Sequence, residues 1–238
     1  MSKGYIYIAS NNFNNSKVDY VQEAVYSAES LRKVQPDAHI TLYTDKELKS
    51  KCFSEIKIVD IAVRCKQTIL NNSPYDKTVY IDTDTYINYD ISDMFDMLDK
   101  YELLCCNDYA RKRILPIPEY MNIPYAFSEL NGGIIAFKKC KNFEKMMTLW
   151  NHYYDKYKNI MIYDQPSFRI ALWESNINMY LLPLEYNRRG KCTKDKVVRK
   201  KKEKDPRFGE DHLTTRIFHY HGLKELSIEE KEKEAQSL

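Results

Sequence analysis

The sequence lacks any apolar run near the roughly 20 residues that a bilayer-spanning helix requires. Its start, Met1-Ser2-Lys3-Gly4, runs straight into a strand-like segment without the apolar stretch of a signal peptide. The expectation is therefore a cytoplasmic protein with no transmembrane segment. Metal-type cysteine spacing is also missing: the six cysteines, Cys52, Cys65, Cys105, Cys106, Cys140 and Cys192, form no Cys-x-x-Cys pair, and in a reducing compartment they read as packing residues. A charge excess is missing too, since a net charge of +3 over 238 residues gives no general argument for nucleic acid or a membrane surface. Internal repeats and linkers are absent. With 43% hydrophobic and 30% charged residues, the composition is that of one folded globular domain, read here as 1–224, followed by a charged tail over 225–238 with the pattern of a frayed helix.

What is present is an alternation of strand and helix signals. Residues 4–10 are β-branched and aromatic, which predicts a buried strand, and the polar cluster 11–16 ends it in a loop. Val21, Ala24, Val25, Ala28 and Leu31 recur at helical spacing within 18–34, which predicts a helix with one apolar face. Strands are predicted over 39–44, 55–61 and 77–81, with a short helix over 66–70 ahead of Pro74. Beyond these, Ser92 reads as the N-cap of a helix through Leu98, 103–106 and 133–138 as buried strands, and 142–157 and 165–173 as helices. Such an order predicts an α/β fold with a single Rossmann-like, mostly parallel sheet flanked by helices.

The segment Ile81-Asp82-Thr83-Asp84 places two carboxylates two residues apart where a buried strand hands over to a loop. In extended backbone, side chains at i and i+2 point the same way, so both oxygens can approach one cation. Hard divalent ions such as Mn²⁺ or Mg²⁺ take carboxylate oxygens and share their coordination sphere with substrate phosphates. The spacing alone is weak evidence, because chance supplies about one Asp-x-Asp in a chain this rich in aspartate. Its position adds weight, since open α/β sheets bind ligands at the carboxyl ends of their strands. The plain alternative is a loop carrying two solvated acids.

Five segments accompany this pair in a set order. Ile8-Ala9-Ser10-Asn11 closes the first strand, with Tyr20 and Ser30-Leu31 in the helix after it. Lys66 precedes Pro74-Tyr75-Asp76-Lys77 and then Tyr80-Ile81-Asp82-Thr83-Asp84. Leu130-Asn131-Gly132-Gly133-Ile134-Ile135-Ala136-Phe137, Asp164-Gln165-Pro166 and Ile217-Phe218-His219-Tyr220-His221-Gly222 follow. From residue 4 to 222 the sequence thereby resembles the GT-A glycosyltransferases of the GT8 type, the group that includes glycogenin and the galactosyltransferases of lipopolysaccharide assembly. Two features depart from that pattern: Leu223-Lys224-Glu225 stands where Lys-Pro-Trp is frequent after the late glycine, and Gly132 stands where serine is usual.

The resemblance implies a metal-dependent transferase that moves a hexose from a UDP-sugar, UDP-glucose or UDP-galactose favoured, with retention of configuration. The acceptor would be a saccharide, lipid-linked or protein group, and no nucleic acid is expected. It assigns the metal to Asp82, Asp84 and His219, and donor-sugar contacts to Asn131, Asp164 and Gln165, with Asp108 at a further strand end. Nucleotide and diphosphate contacts fall to Ile8, Ala9, Ser10, Asn11, Lys66, Thr83, Gly222 and Lys224, and to Asp45 at the end of the second strand. Each assignment has a plainer counterpart. His221 shares the face of His219 in a strand, Lys66 can be a surface lysine, Asn131 and Asp45 can serve turns, and Asp164 can cap the helix that Pro166 opens.

Residues 191–205 carry Lys191, Lys194, Lys196, Arg199, Lys200, Lys201, Lys202 and Lys204 against Asp195, Glu203 and Asp205. This is either a solvated loop or a lid or contact for an anionic acceptor. Two rival functions follow from other features. A nucleotidyltransferase would want a glycine-rich phosphate loop with Arg or Lys after the first strand, and 11–16 contains neither glycine nor arginine. A non-catalytic protein holding an anionic polymer on 191–205 would bind with a steep dependence on salt.

Overall fold

The structure, a computed structural model, describes residues 1–12, 18–60, 66–108, 114–161, 163–189 and 215–220, with Ser227, Glu229, Glu230 and Lys233 of the tail. The basic segment 191–205, His221, Gly222, Lys224 and most of the tail lie outside the described residues.

Four strands expected from apolar runs are β1 (Lys3–Ala9), β2 (Ile40–Thr44), β3 (Glu55–Ile58) and β4 (Lys77–Ile81). Every residue of β2 and of β4 is buried, as in parallel sheets covered on both faces. With β6 (Leu103–Asn107), β7 (Leu130–Lys138) and β8 (Met179–Leu182) they form a seven-stranded sheet in the order β3-β2-β1-β4-β7-β6-β8. Strands β1 and β4, β2 and β3, and β6 and β8 pair in parallel, whereas β6 and β7 are antiparallel. A second sheet, absent from the sequence reading, joins β5 (Thr85–Ile87) to β9 (Ile217–His219) in antiparallel fashion. Strands of three residues carry too little alternation to register as a pattern.

Helix α1 (Tyr20–Val34) begins two residues later than its apolar spacing suggested, because Asp19 caps it by accepting from the Gln22 amide at 2.9 Å. Its buried face holds Val21, Ala24, Ala28 and Leu31 as expected, and also Glu23, Ser27 and Ser30. The others are α2 (Lys66–Asn71), α3 (Asp93–Lys100), α4 (Pro118–Met121), α5 (Lys141–Tyr157) and α6 (Gln165–Ser175). Ser92 precedes α3 without a side-chain capping bond, and Asn176 ends α6 in the left-handed region at φ 55°.

The chain divides into two compact units. One comprises Met1–Ile6, Ile61–Tyr80 and Ser92–Leu182. Its core includes aromatic contacts between successive elements: Phe137 stacks on Phe143 at 4.0 Å, and Trp150 packs at a tilt against Phe168 at 4.3 Å between ring centroids. Gly4 belongs here, and a Cβ at that position would fall 2.3 Å from the Tyr75 ring, so only glycine fits. The other unit comprises Tyr7–Asp60, Ile81–Ile91 and Pro183–Leu238, and contains a buried cluster of Tyr26, Tyr86, Phe218 and Tyr220.

Candidate functional site

Strand β4 ends at Ile81, and the backbone bends through Thr83 and Asp84 before β5 starts at Thr85. The two carboxylates therefore sit on a bend, not on the extended backbone that their spacing suggested. Thr85 Oγ1 donates to the Asp82 carbonyl at 2.9 Å, and the Tyr220 amide donates to the Asp84 carbonyl at 3.0 Å. Pairing of β5 with β9 sets Thr85 opposite His219. The imidazole consequently reaches Asp84, with Nε2 3.1 Å from Oδ1, while Nδ1 lies 2.8 Å from Asn187 Oδ1. One ligand atom from each of Asp82, Asp84 and His219 lies within 4.8 Å of the other two. Asp84 and His219 are buried and Asp82 is half-buried.

This arrangement suits a hard divalent cation. With Nδ1–H donating to Asn187 Oδ1, Nε2 is the ring atom turned toward the Asp84 carboxylate. Two acceptors at 3.1 Å repel unless a cation or a proton lies between them. Two carboxylates and one imidazole also leave an octahedral ion positions for phosphate oxygens. Asn187 went unnoticed in the sequence, because it follows a 3-10 turn at Leu184–Tyr186 and lies 32 residues before the histidine it orients. Tyr220 closes the bend from behind: burial pushes its phenol up, the Glu23 and Asp84 carboxylates add to the rise, and the hydroxyl donates to the Thr83 carbonyl at 3.4 Å.

In the same unit, Ile8 and Ala9 close β1, and Ser10 and Asn12 beyond it both donate side-chain hydrogen bonds to Asp45 Oδ2 just beyond β2. The second oxygen, Asp45 Oδ1, is buried without a hydrogen-bond partner among the described residues. Asn11 turns instead toward the start of α1, donating to Asp19 at 2.7 Å and accepting from the Val21 amide at 3.2 Å.

The first unit holds the remaining candidates. Lys66 opens α2, donates to the Gly132 carbonyl at 2.7 Å and lies 4.5 Å from the centre of the Tyr80 ring. It is half-buried and tied to β7, unlike a solvated surface lysine. Cys105 pairs with Ile135 and Cys106 with Asn131, so residues 132–134 bulge out of β7 where Asn131 accepts from the Gly133 amide at 2.9 Å. Gln165 donates to Asp108 Oδ2 at 2.6 Å and to the Leu130 carbonyl at 3.3 Å, which draws Asp108, Gln165 and the start of β7 together. Asp164 occupies the N-cap position of α6, but its carboxylate makes no capping bond. Its carbonyl accepts from Ser167 Oγ at 2.7 Å and from Trp150 Nε1 at 3.3 Å.

Compared by sequence, the chain matches no family model and no curated protein. Compared by fold, it matches the galactosyltransferase LgtC, solved with donor and acceptor sugar analogues, at a TM-score of 0.61 and 14% identity over 99% of this chain and 96% of that one. It also matches mouse xyloside xylosyltransferase 1 at a TM-score of 0.56 and 11% identity, over 95% of this chain and 100% of that one. The glycosyltransferase GlyE of Streptococcus pneumoniae follows at a TM-score of 0.57 and 14% identity, over 98% of this chain and 60% of that one. The chain has the GT-A fold. In a GT-A frame the bend after β4 lies at the carboxyl edge of the sheet, where such folds place ligands. Among the described residues, no helix is long and apolar enough to cross a membrane.

Proposed function

We propose that this protein is a metal-dependent glycosyltransferase of the GT8 type, transferring a hexose from a UDP-sugar, UDP-glucose or UDP-galactose favoured. The observation that carries the reading is the trio Asp82, Asp84 and His219, gathered at the end of β4 in a fold shared with solved glycosyltransferases. A divalent cation, Mn²⁺ or Mg²⁺, held there would supply Lewis acidity toward the departing diphosphate. Asp82 and Asp84 would hold it through carboxylate oxygens, and Asn187, an acceptor for Nδ1–H of His219, would leave Nε2 to face it. Asp45, held by Ser10 and Asn12, offers an acceptor to the nucleoside. Ile8, Ala9, Asn11 and Thr83 border that binding region, and Lys66, Gly222 and Lys224 are assigned to the diphosphate by resemblance.

Asn131, Asp108, Gln165 and Asp164 are assigned to the hydroxyls of the donor sugar. For retention we favour same-face attack, in which the departing diphosphate takes the acceptor proton and no protein base is needed. The absence of a capping bond at Asp164 removes one argument against its acting as a nucleophile, so trapping of a glycosyl adduct on Asp164 would decide for the double-displacement route. The acceptor is a saccharide, lipid-linked or protein group, with residues 191–205 as its contact if it is anionic.

The test is a panel of nucleotide sugars incubated with Mn²⁺, scored for released nucleoside diphosphate and followed by NMR of the first-formed glycoside. Turnover of a UDP-hexose with an α-linked product supports the reading. Turnover confined to another nucleotide overturns the donor assignment, and a β-linked product from an α-linked donor overturns retention.

A further inference from the structure

Three buried hydroxyls run from β1 to the candidate metal-binding bend. Tyr7 Oη lies 3.1 Å from Ser27 Oγ, Ser27 Oγ lies 2.6 Å from Thr85 Oγ1, and Thr85 Oγ1 donates to the Asp82 carbonyl at 2.9 Å. All three residues are 0% exposed. A hydroxyl has one proton, so the direction of the whole series follows from its end. Thr85 gives its proton to Asp82; Ser27 must then donate to Thr85, and Tyr7 to Ser27.

Two further contacts flank this series. Ser30 Oγ accepts from the Ile87 amide at 2.8 Å, and Thr83 Oγ1 donates to Glu23 Oε2 at 3.4 Å. Glu23, Ser27 and Ser30 fall at i, i+4 and i+7, which is one face of α1. Their partners Thr83, Thr85 and Ile87 fall at alternate positions along the bend and β5. A helix face buried against a strand is ordinarily apolar. Here Glu23, Ser27 and Ser30 meet that segment with polar atoms, beside the aromatic contact of Tyr26 with Tyr86.

We infer that Tyr7, Ser27 and Thr85 are positioning residues for the metal: their hydroxyl series holds the Asp82 carbonyl and so fixes the bend on which both carboxylates stand. None of the three is among the candidate ligands Asp82, Asp84 and His219. The inference rests on the metal-site reading above. A bend displaced by a few tenths of an ångström no longer presents both carboxylates at coordination distance, and outer partners of metal ligands typically govern about 10–100-fold in affinity.

Thr85→Val and Thr85→Ser separate positioning from packing. The first keeps the shape and removes the hydroxyl; the second keeps the hydroxyl and removes a buried methyl. The readout is Mn²⁺ binding in the presence of UDP, followed through the electron paramagnetic resonance signal of free Mn²⁺, alongside thermal unfolding of each variant. Thr85→Val should weaken Mn²⁺ binding by about 10-fold or more, while Thr85→Ser stays near wild type although its melting temperature also falls. Ser27→Ala should resemble Thr85→Val, and Tyr7→Phe, at the far end, should do less. If Thr85→Val does not fold, Ser27→Ala and Tyr7→Phe carry the comparison. Affinities that track melting temperature across the set, or a Thr85→Val protein that binds Mn²⁺ like wild type, would overturn the inference while leaving the metal site intact. Equal binding by wild type and His219→Ala would remove the metal site itself, and the inference with it.

Discussion

His219 presents Nδ1 to the side-chain oxygen of Asn187 at 2.8 Å, and this bond decides which ring nitrogen faces Asp84. Removing the acceptor lets the ring change tautomer or rotate. Asn187→Leu should therefore weaken Mn²⁺ binding by about 10–100-fold, whereas Asn187→Asp, which keeps an acceptor for Nδ1–H, should retain it. Isothermal titration of both variants checks this. Unchanged affinity in the leucine variant would mean that another contact holds the imidazole.

Gln165 donates to Asp108 at 2.6 Å, so Gln165→Glu would set two carboxyls at hydrogen-bond distance in a partly buried place. One of them must then hold a proton in the folded state, and its pKa rises above the unfolded value. A raised folded pKa gives stability that is present at low pH and is lost as pH climbs through the raised value. The melting temperature of Gln165→Glu should thus approach wild type near pH 4 and fall below it progressively toward pH 8. A constant difference across that range would contradict the contact.

Gly4 lies so close to Tyr75 that an added Cβ would meet the ring at 2.3 Å, and Tyr75 is itself buried. Gly4→Ala should destabilise the protein by about 1–3 kcal/mol or more through overpacking. Pairing it with Tyr75→Leu should cost less than the sum of the two single changes by about 1 kcal/mol, read from urea unfolding. Additive losses would place the ring elsewhere.

The order of elements was legible because β1, β2 and β4 are rich in β-branched and aromatic residues and α1 repeats its apolar residues at helical spacing. Strand β5, with three residues, was too short to show a period, and β8 runs Met-Tyr-Leu-Leu without alternation. At the site, the family resemblance named Asp82, Asp84 and His219 as one candidate centre, where the residues alone left His221 as an alternative, and the fold brings the ligand atoms of that trio within 4.8 Å of one another. The bend between the aspartates was not legible, because it depends on Thr85 reaching back to the Asp82 carbonyl. Ser27 has no spacing that singles it out, and its contact shows only when Thr85, 58 residues later, is placed against it. Asn187 shows the same limit, since a single asparagine after a short turn has no spacing that marks it. For Asp164 the N-cap position was readable, but the direction of its carboxylate was not.

The most direct test of the central claim compares nucleotide-sugar turnover by wild type, Asp82→Asn, Asp84→Asn and His219→Ala with Mn²⁺ present and after chelation. Wild type should release nucleoside diphosphate only with the metal. Each aspartate variant should lose about 100-fold or more, and His219→Ala should lose turnover and Mn²⁺ affinity together, while all four proteins unfold at similar temperatures. Turnover that survives chelation, or an Asp84→Asn enzyme working at the wild-type rate, would contradict it.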